Sequence, residues 1–222
     1  MLLATASAIA QPLTSKQKDS VDSLFANWDS QKKPGIAVAI VKDGNEIYSK
    51  TVGMSDVAGG IKANDRTSFW IASVSKQFTA IGITALEQKG ALSLTDPISK
   101  YLPELSHLPS IQIKHLLHHT SGLRDGFTLV GMTLKGEKHY DPKSVFDMIK
   151  MQKALNFQPG TRHEYVNSNY VLLALIAERV SKKSFADFMQ SEVFGKLGLS
   201  DSRIFNNDKK SPDAVGHYNS VG

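Results

Sequence analysis

The chain has 222 residues, with 26 Lys and Arg against 21 Asp and Glu for a formal charge of +5, 41% apolar side chains and no cysteine. That length and apolar share suit one large domain or two small ones with a sizeable core, and exclude disordered, collagen-like and disulfide-stapled chains. Without cysteine there are no thiolate metal sites, cysteine nucleophiles or dithiol redox chemistry. The basic residues form only doublets, at Lys32-Lys33, Lys182-Lys183 and Lys209-Lys210, where nucleic-acid binding calls for a clustered stripe with interleaved aromatics.

Residues 1–10 are apolar and close on the small-x-small pattern Ala8-Ile9-Ala10 ahead of Gln11-Pro12. This pattern matches the end of a secretory signal and predicts a signal remnant over 1–10 and a secreted or periplasmic protein. No run approaches the ~18 apolar residues of a membrane span, so no transmembrane segment is expected. Ser15 is placed to cap a helix whose Val21, Leu24, Phe25 and Trp28 form one apolar stripe, ended by Pro34-Gly35. A β-branched run over 36–41, the Asp43-Gly44 turn signal and residues 46–52 predict an antiparallel hairpin covered by that helix. Gly53, Gly59, Gly60 and Asn64-Asp65 mark an exit loop.

From Ser73 the pattern becomes helical: Phe78, Ile81, Ile83 and Leu86 share a face and Gly90 ends the helix. Trp70 and Phe78 are expected in the core. Short helical pieces follow between Pro97 and Pro103 and over 113–119. Asp141-Pro142 is an N-cap with proline at the first helical position. Pro159-Gly160 is a turn, Ser168 a candidate cap for a helix to Val180, and residues 185–194 one more helix. Strands first and helices after them indicate an α+β organisation.

Ser73-Val74-Ser75-Lys76 carries the chemistry. A serine and a lysine three apart on a helical turn lie on one face, about 5–6 Å between Cβ atoms, so the amine reaches the hydroxyl. A partly buried amine can act there as a base, and a helix N-terminus favours an oxyanion. The spacing occurs three times, at Ser15/Lys18, Ser30/Lys33 and Ser73/Lys76. Only the third stands at a loop-to-helix junction behind an apolar stretch, Phe69-Trp70-Ile71-Ala72. Tyr165-Val166-Asn167 is the second element: a phenol facing the pair could relay a proton to a leaving group, and the amide could hold a substrate carbonyl beside the lysine. Each residue alone reads as readily as a half-buried loop tyrosine and a helix-capping asparagine.

Together these segments resemble the serine β-lactamase and penicillin-binding-protein superfamily, on its class C and related-esterase branch. The resemblance runs through residues 34–42, 68–80, 90–105, 113–123 with His119-Thr120-Ser121-Gly122-Leu123, and 157–181 with Pro159-Gly160-Thr161 and Tyr165-Val166-Asn167. It implies a β-lactamase/transpeptidase-like α+β fold and an acyl-enzyme on Ser73, formed without metal or organic cofactor. Lys76 is then the activating lysine, Tyr165 the second catalytic group and Asn167 a substrate-binding residue. Asp125, after the Thr120-Ser121-Gly122 loop, is a candidate at the pocket edge, with a surface turn as the alternative. Substrates are small molecules: β-lactams, D-amino peptides or carboxylic esters.

The family's third motif, Lys-Thr-Gly or His-x-Gly, has no match after Asn167, since Lys210-Ser211-Pro212 and His217-Tyr218-Asn219 lack the glycine. The expectation is a C-terminally incomplete fold. Residues 11–64 form the opening helix and hairpin of an α/β domain, 65–205 a helical region with both motifs, and 206–222 a tail toward the rest. Losing one oxyanion donor costs about 10²–10³ in rate, so little turnover is expected. An unpaired hairpin edge invites self-association. The alternative is a non-catalytic homologue that binds peptidoglycan-like ligands or a partner chain. His115, His118 and His119 invite a metal reading but lack the Glu of a zincin motif; support for the neighbouring loop is the expected role.

Overall fold

The computed structural model describes residues 11–133 and 141–205. The proposed signal remnant (1–10) and the Lys210 and His217 stretches lie outside the described residues. Among the described residues, no helix is long and apolar enough to cross a membrane. The chain divides into two compact units that meet in sequence at Trp70/Ile71, where the sequence pattern placed a boundary at 64/65.

In the first unit, α1 (Ser15–Phe25) is capped by Thr14, not Ser15. The Thr14 hydroxyl accepts from Gln17 N (3.3 Å) while Gln17 Oε1 accepts from Thr14 N (2.9 Å), a reciprocal capping box. The helix ends at Phe25 and a tighter turn carries the chain to Trp28. No residue of α1 is buried, and Leu24 and Trp28 of the expected stripe are exposed. What ties the helix to the sheet is polar: Asp22 accepts from Tyr48 Oη at 2.5 Å and from Lys50 Nζ at 2.8 Å. Strands β1 (Ile36–Lys42) and β2 (Asn45–Val52) pair antiparallel from Ile36↔Val52 to Lys42↔Asn45. Asp43 (φ 51°) and Gly44 (φ 76°) make the turn, both left-handed as a two-residue hairpin demands. The expected exit loop contains a small second pair, β3 (Met54–Asp56) with β4 (Ile61–Lys62).

The second unit is helical around α6 (Ser168–Ser181), which packs on α2 (Lys76–Gln88), α3 (Ile113–Leu117), α5 (Pro142–Lys150) and α7 (Phe185–Met189). Leu172, Leu173 and Ile176 from α6, Ile83 from α2, Ile113 and Leu116 from α3, and Val145 and Ile149 from α5 are fully buried in one core. The six buried residues of α6, Ser168, Asn169, Leu172, Leu173, Ile176 and Ala177, recur in adjacent pairs four apart and form one broad face of the helix, while its remaining residues are partly buried. Asp141 caps α5 as expected, accepting from Ser144 N at 2.8 Å, with Pro142 at the first position. Gly90 (φ 68°) closes α2 through the bonds Gly90 N to Glu87 O and Ala91 N to Leu86 O, a Schellman end. Helix α4 (Gly126–Thr133) lies in a stretch for which the sequence pattern predicts no element. Phe78 packs against the core, whereas Trp70 is 77% exposed and does not join it.

Candidate active site

Ser73 sits in a single 3₁₀ turn, Ala72–Ser75, and α2 proper begins at Lys76. The serine thus precedes the helix by one turn and does not occupy its first α-helical position. The residue before it, Ala72, is left-handed at φ 45°, a conformation that costs an L-residue roughly 1–2 kcal/mol. The three-residue offset brings Lys76 Nζ to 3.0 Å from Ser73 Oγ, as the spacing predicted.

Tyr165 and Asn167 arrive from the loop that enters α6. Tyr165 Oη donates to Ser73 Oγ at 2.9 Å, and Lys76 Nζ donates to Asn167 Oδ1 at 3.1 Å. Ser73 Oγ therefore faces an amine and a phenol at once, and the amine is held between the serine and an amide oxygen. Lys76 Nζ also lies 5.1 Å from the Tyr165 ring centre and 5.6 Å from that of Tyr170, so two aromatic rings share its charge. Desolvation alone would raise the Tyr165 phenol, but the adjacent Lys76 ammonium and Ser73 hydroxyl outweigh it and hold the phenol below the ordinary tyrosine value.

The loop is anchored from below by His119, which is left-handed at φ 54° and buried. Its ring lies 4.4 Å from the Tyr165 ring at 32°, a tilted stack. His119 Nδ1 faces Val166 N at 3.2 Å and Asn169 Nδ2 at 3.2 Å. The backbone N–H can only donate, so Nδ1 is the acceptor and the proton is on Nε2, the neutral tautomer. Burial first, then the charge of Lys76, keeps the imidazole pKa below its usual value. Three backbone bonds fasten the same loop to the segment ahead of Tyr165: Asn156 N to Gly122 O, Gly160 N to Thr120 O and Glu164 N to His119 O. Ser121 Oγ, buried, donates to Asn169 Oδ1 at 2.7 Å.

Ser73, Lys76, Tyr165 and Asn167 thus form one hydrogen-bonded chain, running from Tyr165 through Ser73 and Lys76 to Asn167. The Beta-lactamase family model matches residues 19–221. The chain belongs to the Beta-lactamase family. It is 31% identical over 204 residues to penicillin-binding protein 4* of Bacillus subtilis, covering 91% of this chain and 45% of that protein. The fold matches the octameric penicillin-binding protein homologue from Pyrococcus abyssi with a TM-score of 0.70 and 28% identity, over 90% of this chain and 46% of that one. It also matches the D-alanine carboxypeptidase AmpC from Burkholderia cenocepacia with a TM-score of 0.66 and 28% identity, over 83% and 49% of the two chains. The chain thus spans about half the length of the relatives it matches, and it shares the superfamily of serine β-lactamases and penicillin-binding proteins.

Asp125 touches this group of side chains through Asn167. Its Oδ2 accepts from Asn167 Nδ2 (3.0 Å) and Asn167 N (3.3 Å), and its Oδ1 from Phe127 N (3.0 Å) and Ser168 Oγ (3.2 Å). Ser168 does not cap α6 with its side chain: Asn167 is the cap residue, and Ser168 Oγ instead accepts from Gly126 N at 2.6 Å. The Ser168 link to Asp125 and the Ser121 link to Asn169 were invisible as pairs in the sequence, and only the Thr120-Ser121-Gly122 signature hinted that this loop matters. Among the described residues no cluster of three or more His, Cys, Asp or Glu is arranged to hold a metal ion. His115 is instead tied to its own helix start, its Nδ1 accepting from Gln112 N at 3.2 Å.

Proposed function

We propose that this protein is a serine hydrolase that forms an acyl-enzyme on Ser73, with β-lactams, D-amino peptides or carboxylic esters as substrates. The observation that carries the reading is the double contact on Ser73 Oγ, 3.0 Å to Lys76 Nζ and 2.9 Å to Tyr165 Oη. In acylation Tyr165 acts as the phenolate beside the Lys76 ammonium: the Ser73 oxygen bonds to the substrate carbonyl carbon while its proton passes to Tyr165 Oη, and Lys76 and Tyr165 are the only groups within hydrogen-bond reach of that oxygen among the described residues. The bond to the leaving group then breaks as Tyr165 returns a proton to the departing atom. The depressed phenol suits that shuttle, because it takes up and releases a proton closer to neutrality than an ordinary tyrosine. Asn167 holds the lysine through its amide oxygen.

The family supports hydrolysis of small acyl substrates, and the carboxypeptidase neighbour supports D-amino peptides among them. Export, resting on Ala8-Ile9-Ala10, is part of the same proposal, since such substrates lie outside the cytoplasm. So is self-association through a free edge of the β1/β2 pair, which an octameric homologue supports. Incubation of purified chain with a labelled penicillin and a fluorophosphonate, followed by peptide mass analysis, tests the central point. Covalent mass on Ser73, absent in Ser73→Ala, is the expected result. Failure of folded protein to label with either probe overturns it and favours the non-catalytic alternative. Chromogenic cephalosporin and short-chain nitrophenyl esters then report turnover.

A further inference from the structure

We infer that Asp125 is a positioning residue: it sets which end of the Asn167 amide faces Lys76. The inference rests on the serine-hydrolase reading for its consequence in rate, and on geometry alone for the contact itself. An asparagine side chain has one accepting and one donating end, of nearly equal size. Lys76 has only donors, so a useful Asn167 must turn its oxygen to the lysine. Nothing at the lysine end enforces this beyond that single 3.1 Å bond. At the other end stands a carboxylate, which when ionised can only accept, and it takes both the Asn167 Nδ2–H and the Asn167 backbone N–H on one oxygen. A flipped amide would set its NH₂ against the Lys76 ammonium and its oxygen against the Asp125 carboxylate, two repulsive contacts in place of two attractive ones. Asp125 thus selects the productive rotamer.

The carboxylate is itself fixed. Its second oxygen receives Phe127 N and Ser168 Oγ, so four protein donors fill the roughly four acceptor positions a carboxylate has. No acceptor position is left over for a substrate. Ser168 is fully buried and bridges, giving its hydrogen to Asp125 and accepting from Gly126 N. Gly126 makes the close approach possible, because a Cβ there would stand 3.0 Å from Ser168 Oγ and 3.0 Å from both Val145 O and Val145 Cγ1. The loop after Gly122 therefore reaches the serine through a chain of four groups: Ser168, Asp125, Asn167 and Lys76.

The test is a double-variant cycle. Asp125→Asn replaces the acceptor-only group by one that no longer opposes the flip. The expected result is a fall in the rate constant for acylation of Ser73 by about 10- to 100-fold, the usual cost of a reacting group misplaced by up to 1 Å, with little change in the concentration of labelled penicillin giving half-maximal rate. In an Asn167→Ala background the same substitution should change the rate less than twofold, because Asp125 then has no amide to orient. Equal losses in both backgrounds would overturn the inference in favour of a merely structural role. If Asp125→Asn does not fold, Ser168→Ala, which removes one of the four donors, is read in the same cycle and should show a smaller, equally Asn167-dependent loss. A second readout does not need activity: the Asn167 side-chain amide, seen by NMR in nitrogen-labelled protein, should exchange slowly in wild type and fast in Asp125→Asn. Unchanged exchange refutes the positioning even in a chain that labels. Slow exchange in a chain that does not label supports the contact while the hydrolase reading fails.

Discussion

Gly122→Ala separates geometry from chemistry in the loop that backs the site. Gly122 has φ 74°, and a Cβ built on it would stand 2.2 Å from Phe157 O, 3.2 Å from the Phe157 carbonyl carbon and 3.3 Å from Leu155 Cβ. Ordinary contact starts near 3.4 Å, so the two backbones must part by about 1 Å. The left-handed conformation costs alanine roughly 1–2 kcal/mol and overpacking about 1–3 kcal/mol. The less flexible unfolded chain returns about 0.4–1 kcal/mol, which leaves a net loss of about 1–5 kcal/mol. For a chain of this size that is a drop of about 2–20 °C in thermal midpoint. Because Gly122 O holds Asn156 N, and the same segment runs on to Tyr165, the displacement is carried to the phenol and should slow acylation by about 10²-fold. Gly90→Ala is the control: its φ is 68° but nothing lies within 4 Å of the added Cβ, so it should show the conformational loss alone and leave acylation unchanged. Thermal melting followed by circular dichroism and penicillin labelling of both variants provide the comparison. Equal destabilisation by the two substitutions would refute the steric reasoning.

Three further outcomes follow from the same network. In an alkaline spectrophotometric titration a phenolate phase below the ordinary tyrosine range should appear and should vanish in Tyr165→Phe, because among the described tyrosines Tyr165 is held low while Tyr101 and Tyr170 are raised and Tyr48 is pushed to about 12; persistence of that phase would contradict the assignment. The His119 pKa is depressed on folding, so below about 6.5 the unfolded state takes up the proton first; its contribution to stability is full above that pH, declines as pH falls and levels off below the folded value. Urea unfolding at a series of pH values should show this decline, and His119→Gln should flatten it. Ser121→Ala leaves Asn169 Oδ1 and Leu123 N without their buried partner and should cost about 1–3 kcal/mol, read by the same unfolding assay; a loss under about 0.5 kcal/mol would mean the pair is dispensable.

Legibility in the sequence followed contact range. The hairpin turn at Asp43-Gly44, the Asp141 cap and the Gly90 stop are local devices whose residue types nearly dictate their conformations, and the structure has all three. The cap of α1 slipped by one because Thr14 and Ser15 are chemically equivalent candidates, and only Thr14 has Gln17 three residues on to return the bond. Helix α4 went unread because Gly126 and Gly131 interrupt its pattern, and glycine inside a helix argues against one. Trp70 is expected inside because large apolar residues prefer burial, yet a run of apolar letters does not say which of them is covered, and Trp70 is left mostly exposed.

Of the site itself, the sequence by itself determined that Ser73 and Lys76 share a face, since an offset of three on a helical turn puts both side chains on one side, and the loop-to-helix junction singled this pair out from the other two. It also supplied, through the motifs it shares with the Beta-lactamase family, the neighbours to look for. Tertiary structure alone decided that Tyr165 and Asn167, more than ninety positions away, meet that pair, because their loop is aimed by the burial of α6 and by the stack on His119. It likewise decided that Asp125 turns toward Asn167. A lone carboxylate in a loop has no periodicity to betray its direction, and its partners are fixed only when Gly126 lets two backbones close on Ser168.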